Sequence, residues 1–165
     1  MSVRLWHYTD KPLTIDARRY EQPDPRLYGK PEGLWISVEG EDDWPSWCAA
    51  EGFFLDQLAY RTPIAIRPAS RVLRVTPGEL NAFDRDFCSE LQWGTENQWV
   101  DRAVDWRRVA SAFDGIIIAP YSWHHRMALN WYYTWDCASG CIWNIDAIEI
   151  GESIPCGEYQ PDEVR

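Results

Sequence analysis

The sequence predicts an α+β domain with a few helices. Strand-like tracts cluster toward both ends, helix signals lie between them, and regular βαβ alternation is absent. The 165 residues suffice for one compact core and are too few for two ordinary domains. No internal repeat, low-complexity run or Gly/Ser linker divides them. Residues 1–150 are expected to form the single domain, followed by a loose acidic tail over 151–165. Eleven Trp and eight Tyr supply large areas for burial, so a core is within reach without many Leu or Ile.

The first strand is expected over residues 3–8. Pro23, Pro25, Pro31 and Gly33 mark turns before a second strand over 33–38. Asp42 or Asp43 is a fair helix cap and Pro45 suits a first turn, so a helix should run through Trp47, Cys48 and Ala50 toward Phe54. Alternation predicts strands over 63–67 and 72–75, separated by Pro68-Ala69-Ser70. Thr76-Pro77-Gly78-Glu79 reads as a capping box opening a helix to about Phe87. Residues 88–104 are mostly polar, with isolated Trp93 and Trp99, and read as a loop. Asp105 caps a helix over 106–113 whose Trp106, Val109, Ala110 and Phe113 share a face. Gly115-Ile116-Ile117-Ile118-Ala119 is wholly apolar and ends at Pro120, the pattern of a central strand covered on both sides. Strands over 141–145 and 147–150 complete the set.

The formal charge of −10 is unevenly placed. Residues 1–35 hold six Lys/Arg against five Asp/Glu, so the acidic excess lies beyond them. Arg61, Arg67, Arg71 and Arg74 occupy a stretch free of acids. Binding to nucleic acid relies on basic groups that neutralise phosphates, and the field of the whole molecule opposes it. A small anion held by local arginines, or a basic protein, is compatible with this charge. No window approaches the roughly 20 apolar residues that span a bilayer, so no membrane is expected. Met1-Ser2-Val3-Arg4 is not followed by the apolar stretch of a secretion signal, and the expectation is a cytoplasmic protein. Five cysteines at irregular spacing read as buried thiols rather than a disulfide framework. Cys137 and Cys141, with His124 and His125 upstream, are spaced more loosely than zinc modules usually are, so no metal is expected.

No P-loop, dinucleotide G-x-G-x-x-G, H-E-x-x-H or nucleophile elbow is present. Polar side chains inside apolar strands stand out instead. Trp6-His7-Tyr8-Thr9 sets His7 and Thr9 on one face by the two-residue period. Gly33-Leu34-Trp35-Ile36-Ser37 adds a hydroxyl on a neighbouring strand. A lone His in such a strand is most simply a hydrogen-bonded core imidazole. Beside Thr9 and Ser37 it could instead line a cleft that grips an amide and a ribose. The tract from Trp123 to Trp135 is the densest aromatic patch, suited to filling space under a loop or to docking a target protein.

His7-Tyr8-Thr9, then Gly33-Leu34-Trp35-Ile36-Ser37, then a helix opening with aromatics, resembles the N-terminal half of the ADP-ribosyltransferase superfamily in its His-type branch. The small phage anti-CRISPR members are similar in size and layout. Their late segment, an acid shortly before Gly and an apolar strand, is similar to Asp136-Cys137-Ala138-Ser139-Gly140-Cys141-Ile142-Trp143-Asn144. The resemblance implies an α+β fold with split mixed or antiparallel sheets, NAD as substrate, and mono-ADP-ribosyl transfer to a protein acceptor, as by a phage protein disabling a host factor.

The resemblance also assigns roles. His7 would hydrogen-bond the nicotinamide ribose with Thr9 in support, and Tyr8 and Trp35 would flank it on the two strands. Ser37 would line the floor, and Gly33 would allow close backbone approach. Trp44 or Trp47 would stack on nicotinamide in place of the usual Tyr, and Asp136 would take the part of the catalytic acid. The family's glutamate opens the last strand, where this chain has Gly140 or Cys141, so Asp146 and Glu149 are the fallback acids. Arg18, Arg19 and Arg26 are candidates for the pyrophosphate. A separate reading is non-enzymatic: an acidic, aromatic-rich inhibitor that imitates nucleic-acid charge and covers a basic protein surface.

Overall fold

The structure is a computed structural model, and it describes residues 3–93 and 99–157. The chain runs β1 (Leu5–Thr9), β2 (Leu34–Val38), α1 (Trp44–Glu51), β3 (Tyr60–Ile66), β4 (Val72–Val75), α2 (Leu80–Phe87), β5 (Cys88–Trp93), β6 (Trp99–Val104), α3 (Trp106–Ala112), β7 (Gly115–Ile118), α4 (Trp123–Ala128), α5 (Asn130–Tyr133), β8 (Ser139–Ile142), β9 (Ile148–Ile150) and β10 (Ile154–Pro155). This is the mixed α+β architecture expected. In place of split sheets, however, eight strands form one mixed sheet in the order β10-β3-β1-β2-β8-β7-β4, with β9 also on β3. β4 and β7 run parallel, and the other pairs are antiparallel.

All four residues of β7 are buried, as its unbroken apolar run demands. It lies between β8 and β4. Close backbone approach at this centre depends on glycine. A Cβ on Gly140 would stand 2.4 Å from the Ile116 carbonyl oxygen.

Helices and aromatic rings cover the sheet. Asp105 caps α3 by accepting from the Arg108 N–H at 3.1 Å, and α3 buries Trp106 and Val109. Both halves of the capping box at Thr76 and Glu79 form. Trp106, Trp131, Trp135, Trp143 and Tyr132 are fully buried. Buried indoles need acceptors. Trp106 donates to the Gly29 carbonyl at 2.9 Å, Trp131 to Asp84 at 3.0 Å and Trp143 to the Phe113 carbonyl at 2.7 Å, whereas Trp135 Nε1 is buried without a partner among the described residues. Large rings thus share the core with the aliphatic side chains of the sheet.

Residues 88–104, expected as a loop, instead form the β5–β6 ribbon around residues 94–98, which lie outside those described. Among the described residues the ribbon pairs only with itself, and exposed Ser89 and Glu90 on one strand and buried neighbours Ala103 and Val104 on the other break the apolar alternation of a strand with one covered face. The strand expected over 63–67 begins earlier, at Tyr60. Pro63 argues against a strand interior, but it falls between the partners on that edge, β10 at Tyr60–Arg61 and β9 from Ile64 onward. Its carbonyl accepts from Gly151 on that side, so its missing N–H leaves no gap in the ladder. The strand expected over 141–145 lies earlier, at Ser139–Ile142. After it the chain turns, and the Asn144 amide donates to Asp114 while the Ile145 N–H donates to the Arg18 carbonyl. The chain beyond Gly151, expected to be loose, pairs β10 with β3. Residues 158–165, the rest of that expected tail, lie outside the described residues. No described helix is long and apolar enough to cross a membrane.

Gly140→Ala should cost about 1–3 kcal/mol through overpacking against a backbone that has nowhere to move. Urea denaturation at constant m-value would measure it, and an unchanged midpoint would contradict the close packing of β7 on β8.

Candidate active site

β1 and β2 pair only at Leu5↔Val38 and Trp6↔Ser37. Beyond that the strands part. His7 bridges the opening: its Nδ1 lies 2.6 Å from the Trp35 carbonyl oxygen. A carbonyl only accepts, so Nδ1 carries the proton and the neutral ring is left with Nε2 as an acceptor. Burial pushes the imidazole pKa below its ordinary value, and the bond to Trp35 opposes that shift only in part.

The parting opens a cavity of about 320 Å³. Trp6, His7 and Tyr8 line it from β1, and Trp35, Ile36 and Ser37 from β2. Because the cleft follows the edge where the strands diverge, consecutive residues reach it. Trp44 and Gln57 line it from one side, and Lys30, Asp136, Cys137 and Ser139 also border it.

Ser37 has a structural task as well. Its hydroxyl accepts from the Trp44 N–H at 2.9 Å, one of the unpaired donors at the start of α1. The same hydroxyl keeps its own hydrogen to donate. Asp43 caps α1 by accepting from the Ser46 N–H at 3.0 Å. The helix closes at Gly52 in the left-handed region with φ 71°, short of Phe54. Trp44 is thereby fixed at the cavity wall, stacked on Trp47 with ring centroids 5.0 Å apart. Phe54 stacks on Trp44 at 5.8 Å and holds a φ of 58°, a strained value for a residue with a side chain.

Asp136 stands between two cations. Lys30 Nζ lies 3.5 Å from one carboxylate oxygen and Arg126 Nη2 lies 3.7 Å from the other. Lys30 also sits over the Trp35 ring at 5.3 Å, and Trp35 packs on the buried Trp135 at 4.9 Å. Burial pushes the Cys137 thiol up to about 12 and the Tyr8 phenol up to about 12, so both stay protonated at neutral pH.

Of the residues singled out in the sequence, His7, Tyr8, Trp35, Ser37, Trp44 and Asp136 therefore share one cavity. Three do not line it. Thr9 buries its hydroxyl without a hydrogen-bond partner among the described residues. Trp47 backs Trp44 from behind. Gly33 serves a close approach to β8, not to a ligand: a Cβ there would stand 2.5 Å from the Ile142 carbonyl oxygen. The fallback acids also lie elsewhere, with Asp146 paired to Arg18 and Glu149 to Arg67 on exposed surface. Arg18, Arg19 and Arg26 do not border the cavity. Its cation is Lys30, which the sequence hid inside a turn.

The aromatic tract from Trp123 is partly core and partly surface. Trp131, Tyr132 and Trp135 are buried, while Trp123, Met127 and Tyr133 are exposed. His125 Nδ1 is 2.8 Å from the Ser122 hydroxyl, and Cys141 is fully buried with its thiol directed at the Pro31 carbonyl.

No protein-family model matches the chain, and no curated protein or solved structure is similar enough to it to count as a match.

An imidazole buried in its neutral form links stability to pH. Below its ordinary pKa, about 6.5, the unfolded chain takes up a proton that the folded chain refuses. Stability therefore falls as pH drops from 6.5 toward the lower folded value, and this contribution is flat above 6.5. His7→Asn retains a donor for the Trp35 carbonyl but cannot titrate. Urea melts at pH 7.5 and pH 5 should show a smaller acid-side loss in the variant than in the parent, whereas equal losses would remove His7 as a contributor.

Proposed function

We propose that the chain is a mono-ADP-ribosyltransferase that takes NAD as substrate and modifies a protein acceptor, in the manner of the phage proteins it resembles. The observation that carries this reading is the meeting of His7, Ser37, Trp44 and Asp136 around one cleft where two strands part. A cavity of about 320 Å³ is small for a ligand site but suits the nicotinamide–ribose half of the dinucleotide.

Each group has a physical task. Nε2 of His7 accepts from a ribose hydroxyl. The Trp44 ring offers a face to the pyridinium, whose positive charge favours an aromatic partner. Ser37 donates to the carboxamide oxygen. Cleavage of the nicotinamide–ribose bond sends the bonding pair to nicotinamide and leaves an oxocarbenium-like cation. A carboxylate nearby stabilises charge that exists only at that stage, which lowers the barrier rather than tightening the ground state. The acceptor nucleophile then bonds to the same carbon, and Asp136, once released from its ion pairs, would take its proton.

The exposed Trp123, Met127 and Phe53, on a chain of net charge −10, favour the second reading, an acidic non-enzymatic inhibitor that covers a basic surface. Two measurements separate the readings. With biotin-NAD and cell lysate, the parent should label a protein band, and Asp136→Asn should reduce labelling about 10²–10³-fold while NAD still binds. His7→Ala should abolish NAD-induced quenching of tryptophan fluorescence. A parent that ignores NAD, yet binds a basic protein with an affinity that collapses as salt rises, belongs to the inhibitor class.

A further inference from the structure

The carboxylate assigned to chemistry is neutralised in this structure. Lys30 and Arg126 approach Asp136 from two sides at 3.5 Å and 3.7 Å, both longer than the roughly 2.7–2.9 Å of a good charge-assisted hydrogen bond. Both cations are anchored by other groups. The Arg126 guanidinium donates to the Tyr121 hydroxyl at 3.1 Å and lies over the rings of Tyr133, at 5.0 Å, and Trp123, at 5.9 Å. Lys30 lies over Trp35. Two positive groups face one loosely held carboxylate, with Asp42, which accepts from the Trp123 indole, and Asp43 as further acids in the neighbourhood.

We infer that Lys30 and Arg126 form a diphosphate site in which Asp136 holds the place of the phosphate, so that the ligand's own anionic oxygens displace the carboxylate and free it to face the ribose. This rests on the proposed reading of the cleft and deepens it. Each cation faces a different carboxylate oxygen beyond good hydrogen-bond length, whereas a diphosphate, with more oxygens and a longer span, can give each cation a separate phosphoryl group. Arginine and lysine suit the two halves of such a ligand, one as a planar fork and the other as a point charge. The exchange also keeps the reactive carboxylate masked until a phosphate-bearing ligand is present.

Calorimetric titration with inorganic pyrophosphate tests the two cations with a ligand that carries neither nicotinamide nor ribose. The parent should bind it, and Lys30→Gln and Arg126→Gln should each weaken binding about tenfold or more. Asp136→Asn should tighten it several-fold, because the internal competitor loses its charge. Circular dichroism melts confirm folding, and Arg126→Lys should recover part of the affinity if charge is what matters. A merely structural Asp136 would leave pyrophosphate affinity unchanged or lower it in the Asn variant, and that result overturns the proposal, as does a parent that does not bind pyrophosphate.

Two further titrations keep the two readings apart. If NAD binds but Lys30→Gln and Arg126→Gln leave its affinity intact, the diphosphate site fails while the cleft assignment stands. If pyrophosphate binds with the stated pattern but neither NAD nor the phosphate-free nicotinamide riboside binds, the anion site stands and the cleft assignment fails.

Discussion

The bond between His7 and the Trp35 carbonyl is the interaction on which the cleft depends. Two antiparallel strands normally close their gap with a ladder of main-chain bonds. Here β1 and β2 share two pairs and then separate, and the imidazole spans the opening from one main chain to the other. A side chain in place of a ladder bond keeps the strands apart by the width of a ring. The space between them becomes a cavity, whereas a complete ladder would have filled it with backbone. The bond also fixes the tautomer, and burial keeps the ring neutral, so the unused nitrogen is an acceptor at physiological pH. The expected hydrogen-bonded imidazole is thus present, and the same ring leaves Nε2 free of that bond.

Much of the surrounding scaffold follows from aromatic burial. Tryptophan is costly to bury unless its indole N–H finds an acceptor. The chain supplies carbonyls from a loop (Gly29), from a helix end (Phe113) and a carboxylate from α2 (Asp84). The bond from Trp106 to Gly29 ties the irregular segment between β1 and β2 to α3, as does that from Arg107 to the Gln22 carbonyl, so the tract that carries Lys30 is held against the core. The rings that border the cavity extend the same packing outward: Trp35 rests on Trp135, and Trp135 rests on Trp106. The cavity floor is thus continuous with the core.

Where the sequence was legible, one physical signal was strong. β7 declared itself by four consecutive apolar residues, α3 by its cap and spaced core residues, and His7 and Ser37 by polarity inside apolar strands. Where it was not, two signals competed. The β5–β6 ribbon exposes Ser89 and Glu90 in succession and buries Ala103 and Val104 in succession, so it lacks the two-residue pattern by which a strand is recognised. Trp143 and Ile145 prolong the apolar run of β8 past the point where side-chain bonds at Asn144 turn the chain. Gly33 and Lys30 show that a short motif does not reveal its partner. The glycine meets β8 and not a ligand, and the lysine, in a turn by every local sign, points into the cavity. Thr9 fails for a related reason: the two-residue period places it on the face of His7, but the cleft ends before reaching it.

The chemistry open to the cavity is narrowed by its electrostatics. Of the groups able to act as nucleophile, acid or base, burial holds the Cys137 thiol and the Tyr8 phenol protonated at neutral pH. A thiol raised to about 12 supplies almost no thiolate at pH 7, so covalent catalysis through sulfur is disfavoured. His7 spends its one proton on the Trp35 carbonyl and is a fixed acceptor rather than a mobile base. The charged side chains that line the cavity are Lys30 and Asp136, paired with each other, and Arg126 faces the carboxylate's other oxygen. A carboxylate matched by two cations offers the cavity little net charge until those pairs are broken, so what the cleft stabilises is set by the exchange of partners around Asp136.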